Sequence, residues 1–84
     1  MANVGDGQER NQTLARLRLA SARFLAGEPE QASEDGDQAL DLAESSASAM
    51  ARKRLHELLA DSQPYAELPR VTELRDRIRA TLRS

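Results

Sequence analysis

Alanine and leucine dominate this chain, with 14 alanines and 12 leucines in 84 residues against one isoleucine and two valines. Alanine and leucine are strong helix formers, whereas β-branched residues favour strands. Strands therefore cannot organise the chain, and an all-α fold is expected. Large anchors are scarce too, with one Phe, one Tyr and no Trp. A core must then rest on Leu and Ala, and small residues let helices approach closely while burying less apolar area.

The same inventory excludes several functions. A chain of 84 residues makes one small domain and buries only about 60% of the surface its unfolded form exposes. Without cysteine there are no disulfides and no thiolate metal sites. Two aromatics argue against stacking platforms for single-stranded nucleic acid. No apolar run approaches the roughly 20 residues of a membrane span, and no apolar signal segment follows the start. A soluble, cytoplasmic protein without cofactor or metal is the expectation.

Met1 to Arg10 holds two glycines and almost no apolar side chain. It reads as a disordered leader, or as the cut end of a longer protein, ahead of a single helical domain over 11–84. Helical periodicity begins near Gln12 and predicts a first helix over 12–26. Leu14, Leu17, Ser21, Phe24 and Leu25 share one face of it. Ala15, Leu19, Ala22 and Ala26 share another, so this helix is expected to pack on both sides. Gly27 stops it. Glu28-Pro29-Glu30 opens a second helix over 29–43, since proline suits the first turn and early acids suit the positive end of the dipole. Its stripe is Ala32, Gly36, Ala39, Leu40 and Ala43. Gly36 costs about 1 kcal/mol relative to alanine inside a helix, and packing against the first helix is the expected compensation.

Ser45-Ser46-Ala47-Ser48 reads as a break that supplies a serine cap. A third helix is predicted over 47–61, with the stripe Ala47, Ala51, Leu55, Leu58 and Leu59 and with Arg52-Lys53-Arg54 on its other side. Ser62-Gln63-Pro64-Tyr65 ends it. Pro69 opens a fourth helix over 70–82, marked by Val71, Leu74, Ile78 and Leu82. Glu73 and Arg77 form an i,i+4 pair there, and Arg79 and Arg83 suit its C-terminus. Short loops between four helices predict an antiparallel four-helix array.

Charge divides the chain. Residues 1–46 hold nine acids and four bases, and residues 47–84 hold five acids and eight bases, so the halves carry −5 and +3. Glu28 to Glu44 contains seven acids and no base. That block repels phosphate and reads as a solvated helix face. Arg52-Lys53-Arg54 and the set Arg75, Arg77, Arg79 and Arg83 offer phosphate contacts in the alternative reading, a small DNA-associated regulator using its basic half. They lack a helix-turn-helix signature and stand beside Glu57, Glu73 and Asp76. Contact with the acidic second helix of a neighbouring copy is an equal use for them, and direct nucleic-acid binding is not expected.

Leu17 to Ala43, LRLASARFLAGEPEQASEDGDQALDLA, resembles a tetratricopeptide repeat, a helix–turn–helix unit of about 34 residues. Ala20, preceded by Leu19, stands at the family's small position in the first helix. Gly27-Glu28 stands at its turn, Ala32 at the small position early in the second helix, and Ala39-Leu40 at the later Ala-Leu pair. Arg16, Arg23 and Gly36 stand where the family usually has bulky aromatics, and Glu44 replaces the closing proline. The second half does not repeat the pattern, because the position 34 residues beyond Gly27 is Asp61, inside the third helix. The resemblance therefore implies one divergent repeat-like hairpin followed by a degenerate or capping helix pair. RLASARFLAGEPEQA, ALDLAES and RKRLHELLADSQPYAELPRVTELRDRIRATL are together similar to the C-terminal region of actinobacterial helix-turn-helix transcriptional regulators. That likeness implies a sensing or oligomerisation segment, and no recognition helix is present to imply DNA binding.

In the repeat family one face of the first helix lines a peptide groove. The matching positions are Leu14, Leu17, Ser21, Phe24 and Leu25, and the resemblance implies that they hold a protein or peptide partner. The plainer alternative packs this face on the third and fourth helices, and a homodimer that buries it is the third option. His56 is the only histidine, and with no cysteine or second histidine it reads as a helix-surface residue. Glu34, Asp35 and Asp37 lack the calcium-loop order of an EF-hand. There is no P-loop, dinucleotide fingerprint or nucleophile elbow, so no enzyme is expected. The function expected is protein–protein interaction, by partner binding or self-association, as the C-terminal repeat segment of a transcriptional regulator.

Overall fold

The computed structural model describes the backbone over residues 4–42 and 49–83, and side chains from Gln12 onward within them. It contains α1 (Val4–Leu25), α2 (Pro29–Leu42), α3 (Ala49–Ser62) and α4 (Pro69–Arg83), with a single 3₁₀ turn at Gln63–Tyr65. The expected all-α, four-helix fold is what forms. Ala43, Ala47, Glu44 and the serine cap expected ahead of α3 lie outside the described residues.

One boundary differs clearly from expectation. α1 begins at Val4 rather than near Gln12, so most of the expected leader is helical. Gly5 and Gly7 weigh against a helix by about 1 kcal/mol each. Once the downstream turns exist, each added residue gains a backbone hydrogen bond without a new nucleation cost.

The α1–α2 turn follows from three residues, Gly27, Glu28 and Pro29. Gly27 has φ +80°. It places Glu28 N–H on Arg23 C=O at 2.8 Å and Gly27 N–H on Phe24 C=O at 3.1 Å. Those two bonds are a Schellman motif, which satisfies carbonyls that a helix end otherwise orphans. Glu28 then accepts the first bond of α2, from Ala32 N–H at 2.9 Å. Pro29 occupies the first helical position, where a missing N–H costs nothing. Leu68 and Pro69 repeat that entry at α4, with Thr72 N–H on Leu68 C=O at 2.8 Å.

α1 with α2 and α3 with α4 are antiparallel hairpins. Across the hairpins α1 lies along α3 and α2 lies along α4. Both of these cross-pairs run parallel. Phe24 near the end of α1 stacks on Tyr65 just after α3, with ring centroids 6.1 Å apart. Asp37 and Asp41 of α2 meet Arg77 of α4.

The core is Leu17, Ala20, Phe24, Ala32, Ala39, Leu40, Ala51, Leu55, Leu58, Val71, Leu74 and Ile78. Within the described residues the expected stripes of α2, α3 and α4 all turn inward, with Leu59 and Leu82 packed at the core's edge. Gly36 is compensated by a different neighbour from the one expected. A Cβ there would lie 3.0 Å from both Leu74 methyls, so the glycine admits α4, not α1.

Candidate interaction surface

α1 touches α2 and α3 along one side only. Leu17 and Phe24, at 1% and 2% exposure, lie on that side with Ala20 between them. Leu14 and Ser21 are half-buried on its α3-facing edge. Leu25 is 74% exposed. The five residues expected to hold a partner therefore do not form one surface. Leu17 and Phe24 are enclosed by the chain's own helices, but mainly by α2 and α3 rather than by the third and fourth helices of the packing alternative. Phe24 in particular is held by the Tyr65 ring.

Among the described residues no element covers the second apolar face of α1. Ala15, Leu19, Ala22 and Ala26 are exposed, Leu19 by 40%. They recur at i, i+4, i+7 and i+11, a single stripe three turns long. The sequence reading assigned this face to packing. Two apolar faces on one helix were visible, but the remaining three helices cover only one of them.

Basic side chains are committed inside the fold. Arg75, 8% exposed, turns its guanidinium onto the end of α3. It donates to Leu59 C=O at 2.6 Å, Ser62 Oγ at 2.7 Å and Gln63 Oε1 at 2.9 Å. No carboxylate faces it among the described residues. Burial, and then the neighbouring Arg79, push its pKa down. What holds the charge is the negative end of the α3 dipole and its free carbonyls. Arg52 likewise reaches Leu82 C=O at the end of α4.

Arg77 passes over Glu73 and bridges Asp37 and Asp41 of α2, and the bond to Asp41 is the main cause that raises its pKa. The contact between acidic α2 and a basic helix, open to a neighbouring copy in the sequence reading, is thus made within the chain. Arg23 pairs with Glu28 at 2.9 Å and with Asp35 at 2.7 Å, and its pKa is raised, first by Glu28. Asp35 is 5% exposed, so Arg23 compensates a buried carboxylate. Arg54 pairs with Glu57 and Arg79 with Asp76.

His56 is exposed on α3, as expected of a surface histidine. Among the described residues no group of three or more His, Cys, Asp and Glu is placed to hold a metal ion. A shallow depression of about 570 Å³ lies at the α1–α2 turn, between Arg23, Glu28, Pro29, Glu30, Gln31 and Leu68. Two of its charged groups, Arg23 and Glu28, already pair with each other. No described helix is long and apolar enough to cross a membrane. No family model, curated protein or solved structure matches the chain.

Proposed function

We propose that the chain is a non-enzymatic protein-interaction module that works by presenting a helical surface. One observation carries this reading: the stripe of Ala15, Leu19, Ala22 and Ala26 is exposed on a helix whose opposite side is fixed in the core by Leu17, Ala20 and Phe24. Uncovered apolar surface on a rigid element is the usual mark of a protein contact. Stacking of one hairpin on another in the same orientation is consistent with a repeat-like scaffold. Placement at the C-terminal end of a transcriptional regulator is supported by the resemblance of residues 18–82 alone. The DNA-associated reading draws less support, because Arg75 is buried and Arg77 is held by two aspartates.

A peptide-display selection against the immobilised chain tests the reading. The expected result is enriched peptides that bind in solution and keep most of their affinity at about 0.5 M salt, where screening reaches within a few ångströms. Absence of any enriched peptide overturns it, and duplex DNA binding that falls steeply with salt then favours the DNA-associated reading.

A further inference from the structure

The outer faces of the four helices are not alike. α2 turns Glu30, Gln31, Glu34, Gln38 and Asp41 outward. α3 turns out Lys53, His56 and Glu57, and α4 turns out Glu73, Asp76, Arg79 and Arg83. Only α1, among the described helices, has an outer stripe free of ionisable groups. Three of its four residues are alanine, so a partner helix can approach the α1 backbone closely on either side of Leu19.

Charge says what kind of partner fits. From Gln12 to Leu25, α1 carries Arg16, Arg18 and Arg23 and no acid. Arg23 is neutralised by Asp35 and Glu28. Among the described residues Arg16 donates to the neutral Gln38 amide and pairs with no carboxylate. Arg18 is exposed and has no ion-pair partner among the described residues. At about 100° per residue, Arg16 and Arg18 border the stripe on opposite sides.

We propose that this face docks an acidic amphipathic helix of a partner protein. Its large aliphatic residues cover Ala15, Leu19, Ala22 and Ala26, and its carboxylates meet Arg16 and Arg18 on the two edges. A second copy fits poorly. Pairing α1 with α1 over Gln12 to Leu25 gathers Arg16 and Arg18 of both copies with no acid in that span, and like charges at helix spacing are destabilising. The α2 of a second copy offers an outer face that is acidic and polar from Glu30 to Asp41, with Leu42 at its end as the one large exposed apolar side chain among its described residues. This inference rests on the interaction-module reading and narrows it to one face and one partner chemistry.

Two synthetic helical peptides test it by fluorescence anisotropy on the whole chain. Both carry leucine at alternating third and fourth positions, one with glutamate and the other with lysine on the flanking positions. The glutamate peptide is expected to bind in the micromolar range, about 1–100 μM, and the lysine peptide at least about tenfold more weakly. Leu19→Glu should abolish binding. Arg18→Glu should weaken it about fivefold, and Lys53→Glu on α3 should leave it unchanged. All three sites are exposed, so an unchanged circular dichroism melt identifies a binding effect rather than a folding one. Equal binding of the two peptides, or binding that survives Leu19→Glu, overturns the proposal. So does a concentration-dependent dimer in sedimentation that Leu19→Glu dissociates, or flotation with anionic vesicles that the same substitution abolishes. If neither peptide binds while selected peptides bind elsewhere on the chain, this inference falls and the interaction reading stands. If the selection also yields nothing, both fall.

Discussion

Gly27 and Arg75 show how much single residues decide here. Gly27 is left-handed, at φ +80°, and a Cβ there would meet only Tyr65 Oη at 3.6 Å. Space is therefore ordinary and the backbone alone resists substitution. Gly27→Ala should cost about 1–2 kcal/mol, read as a lower urea midpoint at unchanged slope, and Gly27→Asn should cost less because asparagine tolerates this region. A midpoint unmoved by alanine would mean that the turn does not need the left-handed residue. Arg75 is the opposite case, a buried charge that joins two helices. Arg75→Ala removes the shared donor of Leu59 C=O, Ser62 Oγ and Gln63 Oε1, leaving the buried Ser62 Oγ only its own bond to Leu59 C=O, and should cost about 2–3 kcal/mol. Arg75→Lys should recover less than half of that, since an ammonium lacks the fork that reaches acceptors on both sides. Equal stability of the lysine variant and the parent would show that the fork is not needed. Gly27 was legible in the sequence because glycine after a helical run has one common use. Arg75 was not, because an arginine in a basic helix reads as solvated until a second helix is placed over it.

Between elements, the α2–α4 contact is governed by Gly36 and Leu74. Glycine to alanine inside a helix ordinarily stabilises by about 1 kcal/mol. Here the new methyl would sit 3.0 Å from both ends of Leu74, itself only 1% exposed. Gly36→Ala is therefore expected to give none of that gain in the parent chain and to give it back in the Leu74→Ala background. A double-mutant cycle in urea measures the difference, and additivity would show that the two helices are not in close contact at this point. The stripes of α2, α3 and α4 could be read from periodicity because each of these helices has one apolar face. α1 has two, and periodicity alone ranks neither. The Glu73–Arg77 pair was lost for a related reason. Spacing on one helix cannot register that two aspartates of another helix come within reach.

Across the whole molecule, the parallel stacking of the two hairpins makes one shared core rather than two. Phe24 contributes from α1 to a cluster that also holds Leu58 and Val71. Phe24→Ala should cost about 3–4 kcal/mol, a large part of the stability of a small domain. Calorimetry should show a single transition moving down by more than 10 °C, at about 4–8 °C per kcal/mol. A second transition left in place would mean that the hairpins fold independently. The same burial makes Phe24 unsuitable for testing partner binding, and Leu19 takes its place.

The helical class, three helix starts and ends to within a few residues, the Gly27 turn and the inward stripes of α2, α3 and α4 are all legible along the chain. These are local properties, set by propensity, by proline and glycine geometry and by periodicity within a single helix. Tertiary structure alone decided which side of α1 is enclosed, that Gly36 answers to α4, and that the basic half of the chain neutralises and caps its own helices. Each of those depends on which surfaces meet across 12 to 40 positions of sequence, as the Arg23–Asp35 and Arg77–Asp37 pairs do. Spacing along one helix carries no information about such distances.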